Sequence, residues 1–338
     1  MYYHKKILPN YLNNCIVAYI LFGEFVVNIV SNTVISIFGM FFIMMVGLFA
    51  SKRGIFSEEG NKRINALLLD VVSPIMIFTS YQTELSQDKI KNLVIVISLA
   101  FLFMTTAIVL SRVLIHAKGD EKIYSVERMA IMYPNSGNIG IPLMLALFGK
   151  EGVFLCAGFV TTFNIISWSY GVAMLRGSLT KRDILNIFKG PNMIAIMVGL
   201  FAHLTNIRLP QIIMSPLNMI ASMITPLSML VIGAVLASNT LKDLFSHSRV
   251  YYIVAIHNFL VPIACILIYH LIIRRFIQID EIVWLVTIIA MSCPVGATAP
   301  MFAIRFNKNG YYGSTLLSVS TLFSLITIPF ILLINNLF

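Results

Sequence analysis

Charge is what this sequence has least of. Of 338 residues only 11% are charged, while 58% are hydrophobic, against about 25% and roughly 45–50% in an ordinary soluble domain. A soluble enzyme is therefore excluded. Cysteine is equally sparse. Cys15, Cys156, Cys265 and Cys293 stand singly in apolar stretches with no second cysteine or histidine within a turn, so no metal-ligand spacing exists and the four read as packed core residues. No His-x-x-x-His pair, Gly-x-Ser-x-Gly elbow or phosphate loop occurs, which argues against catalysis and against a bound cofactor or metal. The 24 basic residues exceed the 14 acidic ones, giving +10. They are scattered over short connections rather than gathered in a stripe with interleaved aromatics, so nucleic acid is a poor partner. The lipid bilayer is a good one.

What is abundant is apolar sequence in lengths that match a membrane. Runs at about 30–50, 64–81, 90–111, 129–148, 152–175, 192–207, 212–237, 250–273, 282–304 and 313–336 give ten candidate spans, and ten spans of about 20–25 residues leave only short connections. The expectation is an all-α integral membrane protein of about ten transmembrane helices. Residues 1–29 form an N-terminal extension that reads equally as an extra helix, a signal-like segment or a stretch preceding the true start. The connections after odd-numbered spans carry sixteen of the 24 lysines and arginines. By the positive-inside rule those connections, including the 176–190 linker, face the cytoplasm, and both termini lie outside the plasma membrane.

The chain also repeats itself. Met45-Val46-Gly47-Leu48-Phe49-Ala50 recurs as Met197-Val198-Gly199-Leu200-Phe201-Ala202, and Pro74 and Pro226 share the same offset. A second register pairs Pro142 with Pro300, Phe148 with Phe306, Lys150 with Lys308 and Gly152 with Gly310. These divide the sequence into a first repeat at 30–175 and a second at 191–338. Each holds five spans, and because five is odd the second enters the membrane from the opposite side, the inverted topology that secondary transporters use.

Span four contains Pro134-Asn135-Ser136-Gly137-Asn138-Ile139-Gly140-Ile141-Pro142, and span nine contains Pro294-Val295-Gly296-Ala297-Thr298-Ala299-Pro300. Neither is compatible with a continuous helix, because each proline removes a donor and each glycine adds freedom. Broken backbone at membrane depth must be buried in protein or line a cavity. Two breaks in matching places point to a substrate site; the other reading is a pair of kinks that only shape packing. The freed N–H groups at the start of a half-helix favour an anion. Asn135, Ser136, Asn138 and Thr298 would add neutral donors, or cap the broken backbone. Pro191-Asn192 opens span six, where a proline is an ordinary helix start. Asp70, one turn before Pro74, is the single acidic residue inside a confident span, a candidate for binding a proton or cation or for a structural hydrogen bond. His203 and His257 lie at membrane depth, either relaying protons or bridging helices.

At Pro134-Asn135, Gly140-Ile141-Pro142-Leu143 and Phe148-Gly149 the sequence resembles the auxin efflux carrier family, with further matches at Lys52-Arg53-Gly54, Pro74, Pro191-Asn192, Pro294-x-Gly296 and Pro300. The resemblance covers about 30–336 and includes bacterial relatives taken as malate or malonate permeases. It implies two inverted five-helix repeats with broken, crossing helices four and nine, a scaffold half and a transport half, elevator-type alternating access, and often a homodimer. It further implies a small organic acid as substrate, its carboxylate held at the positions of Asn135 and Asn192. The sequence departs from the plant members at Gly190, Val295 and Ala297-Thr298-Ala299. A carrier is expected; an anion channel is the alternative.

Overall fold

The computed structural model describes residues 31–82, 87–116, 120–178, 180, 185, 187–238 and 248–338. The expected extension at 1–29, Cys15 and part of the 176–190 linker lie outside the described residues. Within them the chain is helical, with one isolated antiparallel bridge and no strand. The helices are α1 (Ser31–Lys52), α2 (Glu59–Tyr81), α3 (Gln87–Leu114), α4 (Glu121–Met132), α5 (Ser136–Arg176), α6 (Pro191–Leu204), α7 (Gln211–Ala237), α8 (Ser248–Arg275), α9 (Glu281–Ser292), α10 (Thr298–Arg305) and α11 (Gly310–Asn335). Seven of these, α1, α2, α3, α5, α7, α8 and α11, are long and apolar enough to cross a bilayer, and α6 and α9 are shorter apolar helices.

Local sequence explains the ends. The side chains of Asp120 and Asn309 accept from the backbone N–H of Lys122 (2.8 Å) and Tyr312 (3.0 Å), capping α4 and α11. Pro191 sits in the first turn of α6, where its missing donor costs nothing. Gly149 divides α5 into two arms by adopting φ 60° and ψ −147°, backbone that favours glycine.

Proline explains three of the four widened turns among the described residues; the fourth, Ser167–Gly171 in α5, has no proline after it. Pro74, Pro142 and Pro262 each follow by two residues a π-helical turn, at Leu68–Val72, Ser136–Gly140 and Ile256–Leu260. A proline cannot donate to the carbonyl four residues back and crowds it, so the preceding turn widens. The residues four back are Asp70, Asn138 and Asn258. All three are polar.

Packing sorts the helices into two groups. In the first, α1 meets α7 where Gly47 lies against Leu230 and Gly233 against Met44, and α6 meets α2 where Gly199 lies against the Tyr81 ring. Without a hydrophobic drive between helices in lipid, such close backbone approach is a main source of association. The second group holds α3, α4, α5 and α8–α11, tied by Asn92 to Asp280 (2.7 Å), a Tyr269–Trp284 stack (3.7 Å between centroids) and Trp284 Nε1 donating to Asn335 (2.8 Å). The groups touch at the Tyr81–Phe154 ring pair (4.7 Å). An apolar crevice between them is walled by Met40 and Met44 of α1, Met229 of α7, Ile139 and Leu143 of α5, and Ile328 of α11.

Candidate functional site

The second group is built around two interruptions. Helix α4 stops at Met132, Tyr133 turns extended (φ −114°, ψ 96°), and α5 starts at Ser136. Helix α9 stops at Ser292, Cys293 turns extended (φ −58°, ψ 148°), and α10 starts at Thr298. The two extended stretches cross antiparallel at Pro134 and Val295, with Asn135 N–H donating to the Pro294 carbonyl and Gly296 N–H to that of Tyr133, both at 2.7 Å. Each break thus satisfies backbone groups that the other has freed, as buried backbone requires. Gly296 is needed for the approach. A Cβ there would stand 3.0 Å from the Tyr133 oxygen and 3.2 Å from that of Pro134.

Helices α8 and α11 brace the crossing. Ser320 Oγ accepts from Val295 N–H (2.9 Å) and donates to Asn258 Oδ1 (2.6 Å), while Asn258 Nδ2 donates to the Ser320 carbonyl (3.1 Å) and to Thr327 Oγ1 (3.3 Å). His257, fully buried, faces the Ile131 carbonyl with Nδ1 and the Cys293 carbonyl with Nε2, each at 3.0 Å.

Against this satisfied background two side-chain atoms stand out. Asn135 Nδ2 and Ser136 Oγ are buried at the crossing and have no partner. Buried polar groups are nearly always paired, so an unpaired donor and hydroxyl at the start of a half-helix form a place for an acceptor. Asn138 is buried nearby on the π-helical turn and Thr298 is half-buried at the start of α10. Pro134, Pro142, Pro294 and Pro300 are buried, Gly140 lies against Cys293 and Cys156, and Gly137 is half-buried with open space where a side chain would stand.

Two candidates sit elsewhere. Asn192 is half-buried at the start of α6, in the other helix group, and its Oδ1 is also unpaired. Asp70 lies in the widened turn of α2, and its side chain is exposed; the burial expected of an intramembrane carboxylate is absent. Of the other unpaired buried atoms, those on Tyr81, Gln82 and His203 gather where α2 and α6 end, while those on Asn65 and Ser167 lie within α2 and α5.

The sequence reading missed the buried carboxylate that does exist. Glu127 of α4 is 2% exposed and takes a two-pronged contact from Arg249 at the start of α8 (both 2.8 Å) and a third bond from Tyr312 of α11 (3.1 Å). Beside Arg128 it had looked like part of a charged connection. Asn258 and Ser320 were missed too, and only the Asn-x-x-x-Pro spacing at 258–262 signalled the first.

A helical chain with seven helices long and apolar enough to cross a bilayer and a braced, polar, internally broken centre fits a membrane transport protein. The comparisons agree. Residues 32–332 match the membrane transport protein family, and the chain belongs to it, the family of the auxin efflux carriers. It is similar to an uncharacterized transporter of Methanocaldococcus jannaschii, 27% identical over 210 residues that make up 59% of this chain and 68% of the relative. Another uncharacterized transporter, from Methanothermobacter thermautotrophicus, is 23% identical over 293 residues, 85% of this chain and 93% of that one.

Proposed function

We propose that the protein is a secondary carrier for a small organic acid anion, with the substrate carboxylate received at the crossing of α4–α5 and α9–α10. The observation that carries this reading is the unpaired, buried Asn135 Nδ2 and Ser136 Oγ beside the first N–H groups of α5. Neutral donors and a helix start stabilise an anion without fixing a permanent charge in the membrane. Asn138 and Thr298 flank the same place. Asn192, unpaired at the start of α6 in the facing group of helices, would reach the substrate from the other side, so that relative movement of the groups makes or breaks a two-sided grip.

In this reading the chain makes ten crossings in two inverted repeats, 30–175 and 191–338, joined by a cytoplasmic 176–190 linker. The matching glycines support it. Gly47 seats the first helix of one repeat on α7 of the other, and Gly199 seats α6 on α2, so equivalent residues perform exchanged contacts. Helices α1, α2, α6 and α7 form the scaffold, and the crossing travels with the second group in an elevator-type movement along the apolar crevice between them. We place the protein in the plasma membrane with both termini outside, on the charge distribution of its connections, and as a homodimer on the family resemblance. Exposed in a widened turn, Asp70 is a secondary candidate for coupling to an ion.

The test is flux in proteoliposomes with malate, malonate, pyruvate and indole-3-acetate. A carrier saturates and shows counterflow; unitary currents instead would make it a channel. Asn135→Ala and Asn192→Ala should each lower flux at least tenfold while leaving the thermal unfolding temperature within a few degrees, since each removes a donor from a site with few others. Full flux in both variants would sink the assignment.

A further inference from the structure

Both nitrogens of the buried His257 ring face carbonyl oxygens. Nδ1 lies 3.0 Å from the Ile131 oxygen and Nε2 lies 3.0 Å from the Cys293 oxygen. Neither nitrogen faces a donor. A neutral imidazole carries one N–H and one lone pair, so in that form one of the two carbonyls meets a lone pair, and two acceptors are pressed together in the buried interior. Only the imidazolium donates to both.

The carbonyls concerned are not incidental. In an uninterrupted helix the Ile131 oxygen would accept from the N–H of residue 135, but that group is committed to the Pro294 carbonyl. Cys293 is the first residue past the end of α9, in extended backbone. The two oxygens are therefore among the acceptors left over by the two breaks, one from each, and one ring spans them. His257 itself sits in the widened turn ahead of Pro262, next to Asn258, which braces the same crossing through Ser320.

We infer that His257 is a proton-binding site of the transport cycle, in which one proton adds to the ring lone pair, ties both broken strands to α8, and on leaving frees one of them. The inference rests on the carrier reading above and supplies its co-ion. No bond other than the ring N–H forms or breaks, and the proton is exchanged with water on whichever side the crossing is open. A cation held behind the crossing also favours a carboxylate in front of it, so proton and anion would load together and move with little net charge, which spares the cost of carrying an ion through the membrane.

The charged and titratable groups around the ring leave it free to do this. Helix α4 brings Glu127 one turn from Ile131, but Arg249 and Tyr312 already engage that carboxylate; Arg128 of the same helix donates to the Ile115 carbonyl. At the break, the Cys293 thiol points back to the Ile289 carbonyl. Glu281 lies at the opposite end of α9, Arg305 at the far end of α10, and the titratable side chains of α11 are Tyr311 and Tyr312 at its start. On its own helix, Arg249 is two turns away and Cys265 follows two turns on.

The experiment is nuclear magnetic resonance of the full chain in liposomes with 15N-histidine and 13C-carbonyl cysteine. Among the described residues His257 is the histidine bonded to a cysteine carbonyl, so nitrogen–carbon dipolar contact identifies its ring without a mutation. From about pH 5 to about pH 8.5, the range in which a histidine can act, the ring nitrogens should pass between the imidazolium and a neutral tautomer, and the Cys293 carbonyl signal should move with them. A ring fixed in one state over that range, neutral or charged, would overturn the proposal, because a group that never exchanges its proton cannot carry one. The readout uses the proton alone as probe. Failure of the protein to move any carboxylate would sink the carrier reading and with it the transport role of the proton, leaving only the titration of the ring; a fixed ring would overturn this proposal and leave the carrier reading standing.

Discussion

The sharpest demand on sequence in this fold is where α1 and α7 touch, and it yields a quantitative test. A Cβ added at Gly233 would stand 2.0 Å from the Met44 carbonyl oxygen and 2.8 Å from the Leu48 nitrogen, and one added at Gly47 would stand 2.4 Å from the Leu230 oxygen. The obstacles are backbone, so no rotamer change relieves them. Reaching ordinary contact near 3.4 Å requires the helices to part by about 1.4 Å, which strips the packing on both sides of the seam. Overpacking of this kind costs about 1–3 kcal/mol, partly offset by about 0.5–1 kcal/mol from replacing glycine with alanine inside a helix. Gly233→Ala should lose roughly 1–2 kcal/mol and about 2–4 °C in unfolding temperature. Gly39, on α1 as well, has nothing within 4 Å of its Cβ position, so Gly39→Ala supplies the propensity gain alone and should be neutral or slightly stabilising. The assay is thermal unfolding of the detergent-purified variants, monitored by the fraction remaining monodisperse. A Gly233→Ala protein as stable as the parent, or a Gly39→Ala protein as damaged as Gly233→Ala, would refute the helix contact.

Removing Arg249 should hurt more than removing the charge it serves: Arg249→Met leaves Glu127 buried with no countercharge and only the Tyr312 hydroxyl as partner, costing about 3 kcal/mol, whereas Glu127→Gln leaves a half-exposed guanidinium that water can reach, costing about 1 kcal/mol, and the double variant should recover part of the larger loss in the same unfolding assay. Gly296→Ala, which sets a methyl group 3.0 Å from the Tyr133 oxygen, should cut proteoliposome flux by about tenfold or more while lowering stability far less; unchanged flux would mean the crossing is not part of the transport path. Single cysteines at Ser178 and Lys89 should label from the cytoplasmic and external sides respectively, and the reverse pattern would overturn the orientation drawn from the basic residues.

Proline and glycine carried most of what could be read before the structure. Both breaks were legible because Pro134, Pro142, Pro294 and Pro300 forbid a regular helix wherever the chain places them, and the recurring hexapeptide marked Gly47 and Gly199, both of which lie at close helix contacts, because two backbones can approach closely only where no side chain intervenes. Apolar length located the helices, since each of the ten runs overlaps a helical stretch. The bracing network was not legible. Whether the hydroxyl of Ser320 reaches Val295 depends on how α11 lies across the break, and serine in an apolar helix looks the same whether it bonds its own turn, as Ser324 does with Thr321 (2.6 Å), or another chain segment.

Charge was the least legible of all, and the two carboxylates show why. Asp70 lies deep in an apolar run and invites the inference of burial, yet it is exposed; Glu127 lies among Lys122, Arg128 and the other charges of a connection and invites the inference of solvent, yet it is buried. Sequence position reports depth along a helix, whereas the cost of a charge depends on which face it occupies and on what stands opposite. Helix α4 begins at Glu121 and is already covered by α8, α10 and α11 within its first two turns, so the ion pair and the hydrogen bond that close over Glu127 come from residues 122 and 185 positions away. No local window contains that information. The prolines are different in kind: a missing N–H acts on the carbonyl four residues back in the same helix, which is why Asp70, Asn138 and Asn258 could be found by counting, and why the polar residues that matter at the crossing begin with those that proline spacing marks.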